Sequence, residues 1–226
     1  MKINVDQFVP VEWKENNFFF FGLESIIFWK NPSLKSLLDP FIRELGHELY
    51  WLLVAFEAKK GTHEDYHSIV EELGENFEDG FSKWARVVKN AGWENISLSS
   101  FDDEKKEAMV TVENPWELKI SQHESYDYWC PFLCGKFSGI FSSALKRPVR
   151  AKVVDSYEKD GKLVAIFEIS QTELTIEDEV RRWMEKGELS TKRQQEALNL
   201  ALKEQNKRFH DVIHSVGEFI WETDKN

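Results

Sequence analysis

Two β-rich runs near the C-terminal third of the chain, "VRAKVVDSYE" and "KLVAIFEI", are separated by Lys159, Asp160 and Gly161. Asp-Gly places two consecutive residues where positive φ is tolerated, the requirement of a tight hairpin turn whose twist matches that of the flanking strands. This hairpin commits residues 149–169 to an antiparallel pair, and everything upstream must be compatible with packing on its apolar face. A second pair supports it. "ISLSS" and "AMVTVEN" alternate apolar and polar residues and are joined by the polar "FDDEKKE", as in a half-buried antiparallel ladder.

Between and before these hairpins the period is helical. "SLLDPFIRELGHELYWLLVAFEAKKG" predicts a long helix capped by Asp39, with Pro40 in its first turn, Gly61 after its end, and an apolar stripe of Phe41, Leu45, Leu49, Leu52, Leu53 and Phe56. One or two further helices are expected between Glu64 and Ala91, punctuated by Gly74 and Gly80, with Phe77, Phe81, Trp84 and Val88 facing inward. After Asn114 and Pro115 a helix runs toward Ser125, and another starts near Pro131 and reaches about Leu145. "FFFFGLESIIFWKN", apolar on both faces, is expected to contribute a buried strand. The class is therefore α+β, helices laid on one face of an antiparallel sheet, over residues 1–170.

From Thr172 the composition turns charged and helical. Leu198, Leu202, Gln205, Phe209, Val212 and Val216 follow heptad spacing, so residues 171–217 are expected to form a helical linker that pairs with a second copy in a homodimer or packs on its own chain. With a net charge of −11, the chain lacks the overall basic character of a nucleic-acid or anionic-membrane binder. No segment reaches the roughly 20 apolar residues of a spanning helix, and "MKINVDQFVPVEWKE" lacks a secretory apolar core, so the expected location is cytoplasmic. The two cysteines, Cys130 and Cys134, are four apart. That spacing suits reduced thiols on one helical face better than a bridge, and differs from the C-x-x-C of a thioredoxin-like site.

"CPFLCGKFSGIFSSALKRPVRAKVVDSYEKDGKLVAIFEI" resembles the C-terminal half of the 4-vinyl reductase domain, a small-molecule-binding module also found as the sensor of phenol- and xylene-responsive transcription activators. The residues that carry the likeness are Cys130, Gly135, Gly139, Asp155, Gly161 and Phe167; "IRELGHELYWLLVAFEAKKG" and "VTVENPWEL" resemble the family's first long helix and its strand-to-helix junction. The resemblance implies a fold shared with haem-based nitric-oxide sensors and vesicle-tethering subunits, with a ligand held between helices and sheet. The terminal "KRFHDVIHSVGEFIWETD" resembles the entry into a PAS domain, which would begin at residues 218–226. A protein so organised would be the N-terminal sensor of a bacterial signalling protein, with a diguanylate cyclase (GGDEF) or histidine kinase output.

The pocket expected from this reading is lined by Trp84, Trp93, Val112, Trp116, Trp129, Cys130, Phe132, Phe137 and Tyr157, an excess of aromatics around the helix–sheet junction that would otherwise fill the core. In phenol-sensing relatives the motif cysteine belongs to a zinc site. Here Asp155 takes the acidic place, but Glu158 and Ala165 stand where cysteines are expected, leaving Cys130, Asp155 and Glu158 as a degenerate set. Histidine pairs His63/His67 and His210/His214 have metal-binding spacing that also fits a solvated stripe, and His47 or His123 would be the haem candidates, although Tyr-x-Ser-x-Arg is missing. Neither a G-x-S-x-G elbow nor a phosphate-cradling glycine loop occurs, so the expectation is a binding protein without catalysis or a resident cofactor. A dimerisation or docking module without ligand, and a haem-based gas sensor, are the alternatives.

Overall fold

The computed structural model describes residues 11–15, 17–20, 23–26, 29–93, 95–120 and 129–185. The chain divides into two compact units, Met1–Asp178 and Glu179–Asn226. The heptad segment, the PAS-like terminus, His123, His210 and His214 lie outside the described residues. No described helix is long and apolar enough to cross a membrane.

The first unit is built around a four-stranded antiparallel sheet formed by the two predicted hairpins. β4 (Asn95–Asp102) and β5 (Glu107–Glu113) make one, β6 (Val149–Lys159) and β7 (Lys162–Gln171) the other, and the order β4-β5-β7-β6 joins them through β5 and β7. Asp160 and Gly161 both have positive φ, 52° and 72°, as the tight turn demands. Alternation places Ala108, Val110 and Val112 of β5 and Phe167 and Ile169 of β7 fully inward. A second, three-stranded sheet, β1 (Val11–Lys14), β2 (Asn17–Phe20) and β3 (Leu23–Ser25), precedes the helices. The single buried strand expected in this stretch is instead a short meander, and nearby Trp13, Ile26 and Trp29 are exposed.

Helix α5 (Pro131–Leu145) is the centre of this unit, and its bounds are those read from the sequence. Phe137 meets Phe167 of the sheet with ring centroids 5.0 Å apart, and Phe141 joins Phe77, Phe81 and Phe101 in a ring cluster with α3 (Phe77–Val88) and β4. Burial of each such ring contributes about 2–3 kcal/mol of transfer free energy. Ser138 ties α5 to the sheet: its hydroxyl donates to the Cys134 carbonyl at 2.7 Å and accepts from the Ala151 amide at 2.9 Å.

On the other side of α5 lies α1 (Lys35–Lys60), entered through a π-helical turn at Lys30–Leu34. The glycines of α5 make this approach possible. A methyl on Gly135 would stand 2.2 Å from the Ala55 carbonyl oxygen, and one on Gly139 2.0 Å from Oγ1 of buried Thr62, which begins α2 (Thr62–Asp65). Their face therefore meets α1 and α2. α1 also starts before the predicted Asp39 cap, so Asp39 and Pro40 lie inside it. It is broken at Gly46, whose φ of 73° and ψ of 165° fall in a region almost confined to glycine. The break interrupts the predicted stripe: Leu49 and Leu52 are buried, but Phe41, ahead of it, is exposed.

Candidate functional site

Helix α5 begins without a conventional cap. Cys130, the residue before it, has φ 47° and ψ 52° and makes no side-chain capping bond, and Pro131 has no amide hydrogen, so the amides of Phe132 and Leu133 need an acceptor from elsewhere. Glu117 supplies it. The residue lies on the short helix α4 (Trp116–Ile120), and its Oε1 and Oε2 accept from the Phe132 and Leu133 amides at 2.8 and 3.0 Å. The carboxyl group is buried, and burial pushes its pKa up to about 7 against the lowering effect of those two hydrogen bonds.

Beside this contact is a cavity of about 140 Å³. Leu34, Leu38 and Ile42, ahead of the Gly46 break, form one wall; His47, Tyr50 and Val54, beyond it, form the next. Trp116, Glu117 and Ile120 of α4 and Cys130, Pro131 and Phe132 at the start of α5 complete the described lining. Apart from Cys130, which precedes α5, the described lining is helical and no described strand residue contributes, so the cavity lies among helices and not between helices and sheet as the sequence had suggested. Lys35 anchors the first wall by donating to the Ile120 carbonyl at 3.0 Å.

Burial and acidic neighbours set the titration of the groups around this space. Burial, then Glu117 and Asp39, push the Tyr50 hydroxyl up to about 12. Cys130 and Cys134 are free and buried, and burial followed by Glu117 pushes both thiols well above their ordinary value. The indole N–H of Trp116 is buried with no hydrogen-bond acceptor among the described residues.

Of the predicted site residues, Trp116, Cys130 and Phe132 line the cavity together. Trp93 stands behind Phe132 at 4.8 Å and touches Trp84 edge-on at 6.2 Å. Trp84, Val112 and Phe137 are fully buried core residues, outside the described cavity lining. Trp129 contributes its carbonyl, which accepts from the Trp51 indole at 3.2 Å. Tyr157 is 43% exposed, on β6 and away from the lining. Asp155 and Glu158 are exposed on the same strand whereas Cys130 is buried; among the described residues no group of three or more metal-ligating side chains has the geometry to hold an ion. His63 and His67 stack edge-on at 4.4 Å, with Nδ1 of His67 at 2.5 Å from Glu71 on the surface. Glu117 itself had no distinguishing motif. The signal for it was indirect: a helix opening on Cys-Pro-Phe-Leu leaves buried amides that a distant acceptor must satisfy.

No family model matches the sequence, and no curated protein does. Solved structures do. The phenol-responsive sensory domain of the transcription activator PoxR, determined with phenol, is 12% identical, with a TM-score of 0.56 over 76% of this chain and 90% of that one. The trafficking protein particle complex subunit 3 from Naegleria fowleri, covalently bound to palmitic acid, is 12% identical with a TM-score of 0.42, covering 61% of this chain and 90% of that one. A point mutant of T. tengcongensis H-NOX is 14% identical with a TM-score of 0.42, covering 68% of this chain and 79% of that one. The chain thus has the α+β fold of the PoxR sensory domain.

Proposed function

We propose that this protein is a small-molecule sensor of the 4-vinyl reductase-like kind, with its ligand in the cavity among α1, α4 and α5, and that it acts by binding without catalysis or a resident metal or haem. The observation that carries this reading is the cavity: about 140 Å³, apolar in most of its lining, with a few polar groups converging on it. Dry cavities of about 150 Å³ bind a single benzene ring, so the size suits one ring or a short alkyl chain and disfavours a tetrapyrrole. The shared fold with a phenol-responsive domain agrees with the assignment.

The route to an output follows α1. His47, Tyr50 and Val54 face the ligand space, and Lys59 near the end of the same helix pairs with Glu177 at 2.7 Å, in the first turn of α6 (Ile176–Glu185). A ligand that prefers one arrangement of α1 would shift the population of that arrangement and with it the start of the following segment. A dimer formed through residues 171–217, a downstream PAS domain and a cyclase or kinase output complete the proposed architecture, in a cytoplasmic bacterial protein. Calorimetry and thermal shift of the full chain with benzyl alcohol, phenol, palmitate and haem test the reading. Binding of single-ring compounds with a rise in Tm is expected; no binding by any of them would overturn it.

A further inference from the structure

Resting on that reading, the chemistry of the cavity narrows the ligand class. We propose that it is selective for a small organic cation, a primary ammonium carried on one ring or a short alkyl chain, with Glu117 as its counter-ion. The described lining contains one carboxyl group and no lysine or arginine. Lys35, at the start of the same wall, directs its ammonium to the Ile120 carbonyl and to Asp39, 3.7 Å away, and is not part of the lining. The two oxygens of Glu117 each take one helix amide, which leaves each with acceptor capacity for a further donor.

The surroundings favour the same charge. Tyr50, Trp116 and Phe132 are the aromatic residues of the described lining, and ring faces attract a desolvated cation. The Tyr50 hydroxyl is pushed up first by burial and then by Glu117 and Asp39, so the charged groups acting at its ring are carboxyls. A carboxylate ligand would meet that field with the His47 imidazole as the one basic group of the described lining, whereas an ammonium would pair with Glu117 through a charge-assisted hydrogen bond. The competing fit is a neutral hydroxyl, which would donate to Glu117 and accept from the unpartnered indole of Trp116.

Benzylamine, benzyl alcohol and benzoate have similar shapes and differ in charge, so calorimetry of the full chain with each, near pH 8, reads the preference directly. Benzylammonium is expected to bind roughly tenfold tighter than benzyl alcohol, with benzoate weakest. Glu117→Gln should bring the amine and the alcohol within about threefold of each other. Equal or tighter binding of the alcohol or of benzoate by the unmodified protein would overturn the cation assignment while leaving the sensor reading in place. Binding of none of the three would remove both. Because the ligand series is measured on the unmodified protein, the outcome stands even where the variant folds poorly.

Discussion

Glu117 makes a quantitative prediction for stability against pH. Its carboxyl titrates near 7 in the folded protein, against an ordinary value of 4.5. Below pH 4.5 it is protonated in both folded and unfolded chains and has no differential effect. Between 4.5 and 7 the unfolded chain releases the proton and the folded protein keeps it, so stability falls as pH rises through this window. Above 7 the cost is constant. With about 1.4 kcal/mol for each pH unit separating the two titrations, the full cost is about 3 kcal/mol. Replacing Glu117 with Gln removes the titration. The amide oxygen still accepts from one of the Phe132 and Leu133 amides and the other loses its partner, a penalty of about 1 kcal/mol that does not depend on pH. Urea unfolding of both proteins at pH 4.5, 6, 7 and 8 isolates the effect, since other titrations cancel in the difference. The variant should be the less stable by about 1 kcal/mol at pH 4.5 and the more stable by about 2 kcal/mol at pH 8. A difference that stays constant across the range would refute the claim that Glu117 is held as a buried acid, and a difference of opposite slope would mean that the amides of α5 outweigh its burial.

Other expectations concern the helices. Gly135→Ala puts a methyl 2.2 Å from the Ala55 carbonyl oxygen, a backbone atom that cannot turn aside, and should cost about 3 kcal/mol or more in urea unfolding. Gly139→Ala meets Thr62 at 2.0 Å from Oγ1 and 2.7 Å from both Cβ and Cγ2; rotating that side chain moves Oγ1 at the expense of its 2.6 Å hydrogen bond to the Lys59 carbonyl but leaves Cβ in place, so a loss of about 2–3 kcal/mol is expected and an unchanged urea midpoint would contradict the geometry. Gly46→Ala meets no neighbouring atom within 4 Å, so its cost is purely conformational, about 1–3 kcal/mol, and an unchanged urea midpoint would show that the break in α1 is not held at that residue.

What could be read from the sequence was local. Pro131 at the first helical position, Asp160-Gly161 at the turn and the alternation of β5 each carry their structural meaning within a few residues, and the corresponding bounds agree with the structure. What was not legible depended on contacts between distant segments. The role of Glu117 arises from α5 fifteen and sixteen residues later. Trp84 and Phe137 are the same residue types as Trp116 and Phe132, yet the first pair is sealed in the core and the second lines the cavity. Gly46 sits in a segment of strong helical character, where a single glycine is ordinarily tolerated, so the bend that separates the two walls of the cavity left only a weak trace.

The seam between α1 and α5 sets how motion can travel. Most helix pairs touch through long side chains, which change rotamer and absorb a small displacement much as springs do. At Gly135 and Ala55 main chain rests on nearly bare main chain, with nothing compliant between them. A shift of α1 beside Tyr50 would therefore be handed on to α5 with little damping, as by meshed teeth, and from there through Ser138 to the edge strand of the sheet. If the proposed ligand binds, a molecule with this seam would answer it by moving rigid bodies and not by local repacking. A ligand of a few atoms would then be felt at a distance many times its own size.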